Sequence, residues 1–231
     1  MDALRTADYL GLAGFFIGWA GYSWYADTSR WSVRSITHVI NSYRMAWGRA
    51  MLQREVRVVD TTMVGNILTG IAFFSSTTIL IIGGLVALLG ARDQAIAALA
   101  LLPFADTTTP AAWEIKVLLL LTIFVYGFFK FAWAFRLANY CSILIGSGPI
   151  QGRVLTPEGE AHACRAAAML ALVARHNNHG FRAYFFALAA LGWFVHPMVF
   201  VAATGLVIWV IYRREFRSNA YRTLAGDPQA P

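Results

Sequence analysis

Two histidines, His176 and His179, stand three residues apart, a spacing that places both imidazoles on one side of a helix. Imidazole nitrogen is a common metal ligand, and a zinc site needs three or four protein ligands. The other ligands could come from His162, Glu158 or Glu160 on the same segment, but only if the helix bent back. No H-E-x-x-H motif or closely spaced cysteine pair supports a metal site. We therefore predict no catalytic residue, cofactor or metal. His176 and His179 stay weak metal candidates, more simply explained as hydrogen-bonding groups where two helices join.

Polar side chains within or beside strongly apolar stretches are candidates for function, and this chain has four: Lys130, Arg136, Asn139 and His196. A charge at the bilayer centre costs about 2.5–3.5 kcal/mol on insertion scales. Lys130 lies about 9 Å from Arg136 along a helix axis, and we expect its long stem to reach the cytosolic interface. No acid lies within an apolar stretch, which argues against a buried ion pair. His196 precedes Pro197, where a neutral imidazole would bond a carbonyl freed by a proline kink. Haem ligation by His38 or His196 is a weaker alternative.

The segment 27–60 is rich in arginine and carries apolar residues at the spacing of one helix face, from Ile36 to Met51. This pattern predicts an amphipathic helix at the membrane surface. Three of its arginines, Arg34, Arg44 and Arg49, are candidates for contact with anionic lipids. The simpler alternative is a basic loop that sets the topology.

The composition predicts a membrane protein. Hydrophobic residues make up 58% of the 231 residues and charged ones only 13%, against about 25% in soluble domains. The net charge is +7, and all basic residues except Lys116 and Lys130 are arginines. Because these arginines flank apolar segments and no nucleic-acid motif is present, lipid headgroups are the expected partner and nucleic acid is not. Two cysteines, Cys141 and Cys164, do not make a disulfide framework.

The apolar stretches predict an all-α, polytopic membrane helix bundle that forms one domain over residues 1–217. Four spans are expected at about 9–26, 64–89, 116–137 and 183–212. Cytosolic helices are expected at about 31–58 and 157–178, and residues 218–231 are expected to be a disordered tail. A row of glycines in the first span, including Gly14 and Gly18, predicts close helix packing, with the small residues of the second span as its partner.

The distribution of arginine conflicts with an even number of spans. The positive-inside rule places segments 27–60 and 136–182 in the cytosol and residues 91–114 outside. Four spans then place the C-terminal pair Arg213 and Arg214 outside, on the wrong side for their charge. Splitting the segment 181–212 into a hairpin would remove the conflict, but each half would have only about 15 residues. We therefore predict four spans, with a kink at Pro197.

Two stretches carry a family resemblance: the end of the third span, Phe131–Arg136, and the sequence Arg175–Phe186 (RHNNHGFRAYFF) before the last span. With the glycine-rich first span and the arginine-rich connection, they make the chain resemble the domain of unknown function 599 (DUF599) family of uncharacterised multi-span membrane proteins. The resemblance covers about residues 9–212. It implies a membrane bundle and no activity.

Three kinds of function fit the sequence. The first is a non-enzymatic integral membrane protein that self-associates or joins a larger membrane complex, in the plasma membrane or the bacterial inner membrane. The second is a small transporter or channel that uses Lys130, His196 and the hydroxyls of residues 75–78, although no clear inverted repeat is present. The third is a metal- or haem-dependent membrane enzyme built on His176 and His179, for which the sequence offers the least support.

Overall fold

A computed structural model describes residues 4–101, 109–149 and 156–226. Every regular element in these ranges is helical, which confirms the all-α fold class. The α-helices, in chain order, are α1 (Thr6–Thr28), α2 (Ile36–Gln53), α3 (Val58–Gly90), α4 (Arg92–Ala100), α5 (Pro110–Gly146), α6 (Pro157–Leu191), α7 (Pro197–Phe216) and α8 (Asn219–Ala225). Single 3-10 turns precede α2 and link α6 to α7.

Three of these helices begin in the same way, with a capping side chain followed by proline. Thr109 accepts a hydrogen bond from the backbone N–H of Ala112, and Thr156 accepts one from Gly159. At α7 the cap is His196, whose Nδ1 lies 3.1 Å from the backbone nitrogen of Met198. Proline suits the first helical position because its missing N–H would have no partner there, so these sequences fix where α5, α6 and α7 begin.

Three helical segments are long and apolar enough to cross a bilayer. They are α3 with a mean hydropathy of 2.2, α5 with 2.0, and the segment Pro197–Ala225 with 1.3. Predicted spans 64–89 and 116–137 lie within α3 and α5. Predicted span 9–26 lies within α1, which does not meet the same length and hydropathy criteria. The prediction of a four-span bundle is therefore not confirmed.

The predicted division of residues 157–212 is wrong. The sequence predicted a helix to residue 178 and a kinked span from 183 to 212, whereas α6 runs unbroken to Leu191 and α7 starts after a turn. Trp193 stacks on Phe200, and the Arg214 guanidinium lies over the Phe185 ring, so the two helices are antiparallel. His196 and Pro197 therefore begin a new helix after the chain reverses, because proline is favoured at a helix start and disfavoured inside one.

Gly192 makes this reversal tight. A Cβ atom at this position would lie 3.3 Å from the backbone of Val199 and 3.2 Å from its side chain. The absence of a side chain lets the end of α6 approach the start of α7, which explains why the hairpin has so short a connection.

Helix α1 packs against both α6 and α7 and is held near its two ends by acidic side chains. Near its start, Asp8 accepts a hydrogen bond of 2.7 Å from the Trp193 indole, and near its end Asp27 contacts Arg182. Helix α1 is therefore antiparallel to α6 and parallel to α7. The end of the bundle that holds Asp27 also contains α2, α8, the start of α3 and the ends of α5 and α7. We call this arginine-rich region the basic end.

The basic end is held together by contacts between distant segments. Arg57 donates to the carbonyl of Ile145, and Tyr43 donates to the carbonyl of Leu224. The second contact involves α8, so the predicted disorder of residues 218–231 is wrong for Asn219–Ala225. Ser218 caps this short helix. Residues 227–231 of the predicted tail lie outside the described ranges.

Two glycines of α1, Gly11 and Gly18, pack against α7 and not against the second predicted span, while Gly14 and Gly21 have open space beside them. A Cβ atom at Gly11 would lie 3.2 Å from the Phe200 ring, and one at Gly18 would lie 2.8 Å from Ile208. The glycines of α3 have open space beside them. The predicted pairing of these two small-residue rows is therefore wrong.

Candidate functional site

The two histidines of the weak metal prediction have different surroundings. The His179 Nε2 atom lies 2.8 Å from the Asp27 carboxylate, whereas the Nδ1 atom of His176 is buried with no hydrogen-bond partner among the described residues. Their ring centres are 6.4 Å apart. The predicted junction of two helices is not found here, because α6 is continuous through both residues. In the described ranges, no group of three or more His, Cys, Asp or Glu side chains is arranged to hold a metal.

His179 belongs instead to a buried ion cluster formed by Asp27, His179 and Arg182. The Arg182 guanidinium contacts both carboxylate oxygens of Asp27, at 2.6 and 3.0 Å. The exposed fraction of the side chain is 8% for Arg182 and 15% for Asp27. Bidentate geometry of this kind gives both direction and strength, so the cluster joins the end of α1 to the middle of α6.

The electrostatics of this cluster favour the ionised carboxylate. Burial is the largest influence on Asp27 and would raise its pKa, but hydrogen bonds from His179 and Arg182 outweigh it and lower the pKa to about 2.

Sequence reasoning missed the ion cluster. It argued against a buried ion pair because no acid lay within a predicted span, and Asp27 lies one residue beyond the span 9–26. Asp8 and Asp60 are also buried acids at helix starts, and Asp60 accepts hydrogen bonds from Trp47 and Arg54. The sequence does carry an acid directly after the first predicted span and an arginine directly before the last one, but neither identifies the other as its partner.

Lys130 points toward an aromatic side chain. Its ammonium nitrogen lies 5.1 Å from the centre of the Tyr126 ring, one turn earlier on α5. It makes no ion pair with an acid in the part of the chain that the structure describes. A cation over an aromatic face gains about 0.5–2 kcal/mol, which partly offsets the cost of placing Lys130 on an apolar helix.

The other three intramembrane candidates have local partners. Arg136 donates a hydrogen bond of 2.7 Å to the Tyr140 hydroxyl, and Asn139 donates one of 3.0 Å to the carbonyl of Phe135. Both side chains are exposed on α5. His196 is exposed and caps α7, so it does not face the interior of a span. None of these three joins the ion cluster.

The three arginines proposed for lipid contact are spread along one end of the molecule. Arg34 lies over the Trp31 ring at 5.2 Å, and Arg44 donates to Asn41. Arg49 forms an exposed ion pair with Glu160, at 2.6 Å. The structure does not bring them into one site, and their contact with anionic lipid stays a prediction.

A groove of about 630 Å³ opens beside the ion cluster, between α6 and α7 and near the starts of α2 and α8. Arg182 links the two features, since it contacts Asp27 and also lines the groove. Most of the lining is apolar and comes from Ile36, Phe74, Phe181, Tyr184, Phe185, Leu188, Ile211 and Ala220. The polar lining lies toward the basic end and consists of Asn178, Arg182, Arg214, Glu215 and Ser218.

The outer face of α3 is the second unusual surface. Only 11% of its most apolar 18-residue stretch is buried within the chain, compared with 39% of the corresponding stretch of α5. A Cβ atom at Gly70, Gly83 or Gly84 would meet no atom within 4 Å. Asn66 is exposed on the same helix, two turns after it begins. We call the surface formed by Asn66, Gly70, Phe73, Leu80, Gly83, Gly84 and Ala87 the open α3 face.

A family model described as "Protein of unknown function, DUF599" matches residues 10–220. No curated protein and no solved structure matches the chain.

Proposed function

Because the chain belongs to the DUF599 family, which has no described function, we propose from its structure that it is a multi-pass, non-enzymatic membrane protein that self-associates through the open α3 face. The membrane assignment is supported by the three long apolar helices. The plasma membrane, or the inner membrane of a bacterium, is the proposed location.

Five crossings fit the arrangement of the helices better than the four predicted from sequence. They are α1, α3, α5, the second half of α6, and α7. The earlier objection was that each half of the segment 181–212 was too short, but α6 extends back to Pro157 and can supply the missing residues. An odd number of crossings puts all the arginine-rich segments at one end, in agreement with the positive-inside rule.

This topology can be tested with single cysteines at Arg5 and Arg222, in a chain whose Cys141 and Cys164 are replaced by alanine. Five crossings place the two positions on opposite sides of the membrane. A membrane-impermeant thiol reagent should therefore label one position in right-side-out vesicles and the other position in inverted vesicles. Labelling of both positions from one side would overturn the five-crossing topology.

The observation that carries self-association is the difference between the two glycine rows. Gly11 and Gly18 of α1 are covered by α7, whereas every glycine of α3 is covered by nothing in the described chain. In a bilayer, small residues allow two helices to approach and gain van der Waals contact, while a lipid-facing helix gains nothing from glycine. The exposed amide of Asn66 adds a group that a second copy could satisfy by an interhelical hydrogen bond.

The test compares two equivalent substitutions in lipid vesicles. Gly83→Leu places a large side chain on the open α3 face, and Gly205→Leu does the same at an open, exposed glycine of α7. Counting subunits by single-molecule photobleaching at low protein density should give dimers or higher oligomers for the wild-type chain and for Gly205→Leu, and monomers for Gly83→Leu. Monomers for the wild-type chain, or equal assembly of the two variants, would overturn this interface.

A small transporter or channel is a second candidate, favoured by the buried acid and histidine of the ion cluster. Asp27 and His179 form an ionisable pair that was not recognised from the sequence. Proton relays in membranes use such groups. Proton flux into vesicles should then fall at least tenfold in His179→Gln. Equal flux in empty vesicles and in those with wild-type protein would remove this candidate.

A further inference from the structure

The groove combines an apolar wall with charged groups at one end only. Its wall includes Tyr184 and Leu188 of α6 and Ile211 of α7, and the charged side chains come from the basic end. Leu188 is 61% exposed, so the wall is open to the surroundings of the bundle. In the proposed membrane protein these surroundings are acyl chains, and the charged end lies where lipid headgroups lie. The groove therefore has the polarity of a bound lipid.

The charged side chains that line the groove differ in whether they already have a partner of opposite charge. Arg182 is neutralised by Asp27 through two hydrogen bonds. Arg214 lies over the Phe185 ring at 5.8 Å and makes no ion pair with an acid in the described ranges. Glu215 also has no basic partner there, although one of its oxygens accepts hydrogen bonds from Thr37 at 2.6 and 3.2 Å. One cation and one anion thus remain for a ligand.

We propose that the groove binds one membrane phospholipid with a zwitterionic amine headgroup, its phosphate on Arg214, its ammonium on Glu215 and an acyl chain along the apolar wall. Arginine binds phosphate through its fork of N–H donors, and a carboxylate is the natural acceptor for a primary ammonium. The volume of about 630 Å³ lies within the range of about 300–1,000 Å³ typical of ligand sites.

A zwitterion suits the groove better than a simple anion. The phosphate of an anionic lipid such as phosphatidylglycerol could also bind Arg214, but its neutral glycerol would leave the Glu215 carboxylate without a positive partner. Thr37 holds the Glu215 carboxylate in place, because both its backbone N–H and its hydroxyl donate to the same oxygen. The position of the second oxygen is therefore defined for an incoming ammonium.

The experiment measures retained lipid by native mass spectrometry of protein released from nanodiscs that hold phosphatidylethanolamine and phosphatidylglycerol in equal amounts. The wild-type chain should retain one lipid per chain, with phosphatidylethanolamine preferred at least fivefold. Arg214→Gln should reduce retention about tenfold. Glu215→Gln keeps an oxygen for Thr37 and should abolish the preference while still retaining lipid.

Arg213→Gln is the matched control, because Arg213 lies over Trp209 and does not line the groove. It should retain lipid as the wild-type chain does. Equal loss in Arg213→Gln and Arg214→Gln, or an unchanged preference in Glu215→Gln, would overturn the proposal. An unchanged thermal unfolding midpoint in detergent shows that each variant is folded.

Soluble glycerophosphoethanolamine separates a lipid site from a headgroup site. Added at the concentration of the lipid, it should not displace the retained molecule, because it lacks the acyl chain that the wall would contact; complete displacement would overturn the assignment to a lipid. This inference rests on the proposed membrane insertion, and its failure is distinguishable. A chain that needs detergent but retains no lipid contradicts only the inference, whereas a chain soluble without detergent contradicts the proposed function.

Discussion

Helices α1 and α3 are both rich in glycine and both run along the bundle, but they relate to it in different ways. Helix α1 packs one side on α6 and α7, where Gly11 and Gly18 meet α7, and is fixed near both ends by the acids Asp8 and Asp27. Helix α3 packs along one side on α5, and its glycines face away from the chain. Glycine content alone therefore does not indicate an internal contact; the difference lies in which polar groups and large side chains meet the helix.

Replacement of the acid that fixes α1 should give the largest effect on stability. Asp27→Ala leaves the Arg182 guanidinium buried without its counter-charge, and breaking a buried pair in this way costs about 3–5 kcal/mol. We expect this decrease in the free energy of unfolding, measured by reversible denaturant titration in mixed micelles.

Glu160→Ala is the control, because its ion pair with Arg49 is exposed, at 48% and 58% of the two side chains, and should contribute little to the free energy of unfolding. If both substitutions had the same small effect, the ion cluster would not hold α1, and the contrast with α3 would fail.

Acid should weaken α1 through the same carboxylate. The folded-state pKa of Asp27 is lowered to about 2, so its contribution is complete above the unfolded pKa near 4 and decreases as the pH falls toward 2. Between pH 6 and pH 2 the wild-type chain should lose about 2 kcal/mol more than Asp27→Asn, which cannot titrate at this position. The free energies of unfolding of the two chains, measured across this range, should converge at low pH. Parallel curves would show that Asp27 is not stabilised by its partners.

A methyl group added at Gly18, a glycine of α1 that α7 covers, should have a smaller effect on stability. In Gly18→Ala the new Cβ would lie 2.8 Å from the end of the Ile208 side chain, which must turn aside. Because this atom is the flexible end of a side chain, we expect a loss of about 1 kcal/mol, at the low end for overpacked cores. The unfolding midpoint in detergent measures it, and an increase in stability would mean that α1 and α7 are not in close contact.

The sequence predicted the elements better than their partners. Composition was sufficient for the all-α class, and a helix was predicted to begin at residue 157, where α6 begins. The α6–α7 hairpin was missed because the hydrophobicity of residues 183–212 is nearly continuous, and Pro197 alone does not distinguish a kink from a new helix start. The ion cluster was missed because Asp27 and Arg182 are 155 residues apart. Neither residue has a local pattern that identifies its partner.

A methyl group added to a glycine of the open α3 face should have the smallest effect on stability. In Gly84→Ala the added Cβ meets no atom of the chain within 4 Å, so no contact within one molecule is changed. Alanine also favours the helix over glycine by up to about 1 kcal/mol in water, so stability should be unchanged or slightly higher. We expect the free energy of unfolding of the detergent-solubilised monomer to match that of the wild-type chain within about 0.5 kcal/mol. If Gly84→Ala were as destabilising as Gly18→Ala, some part of the chain would have to cover α3, and its glycines would be internal packing residues like those of α1. If only the assembled form in vesicles were weakened, the covering surface would belong to a second copy.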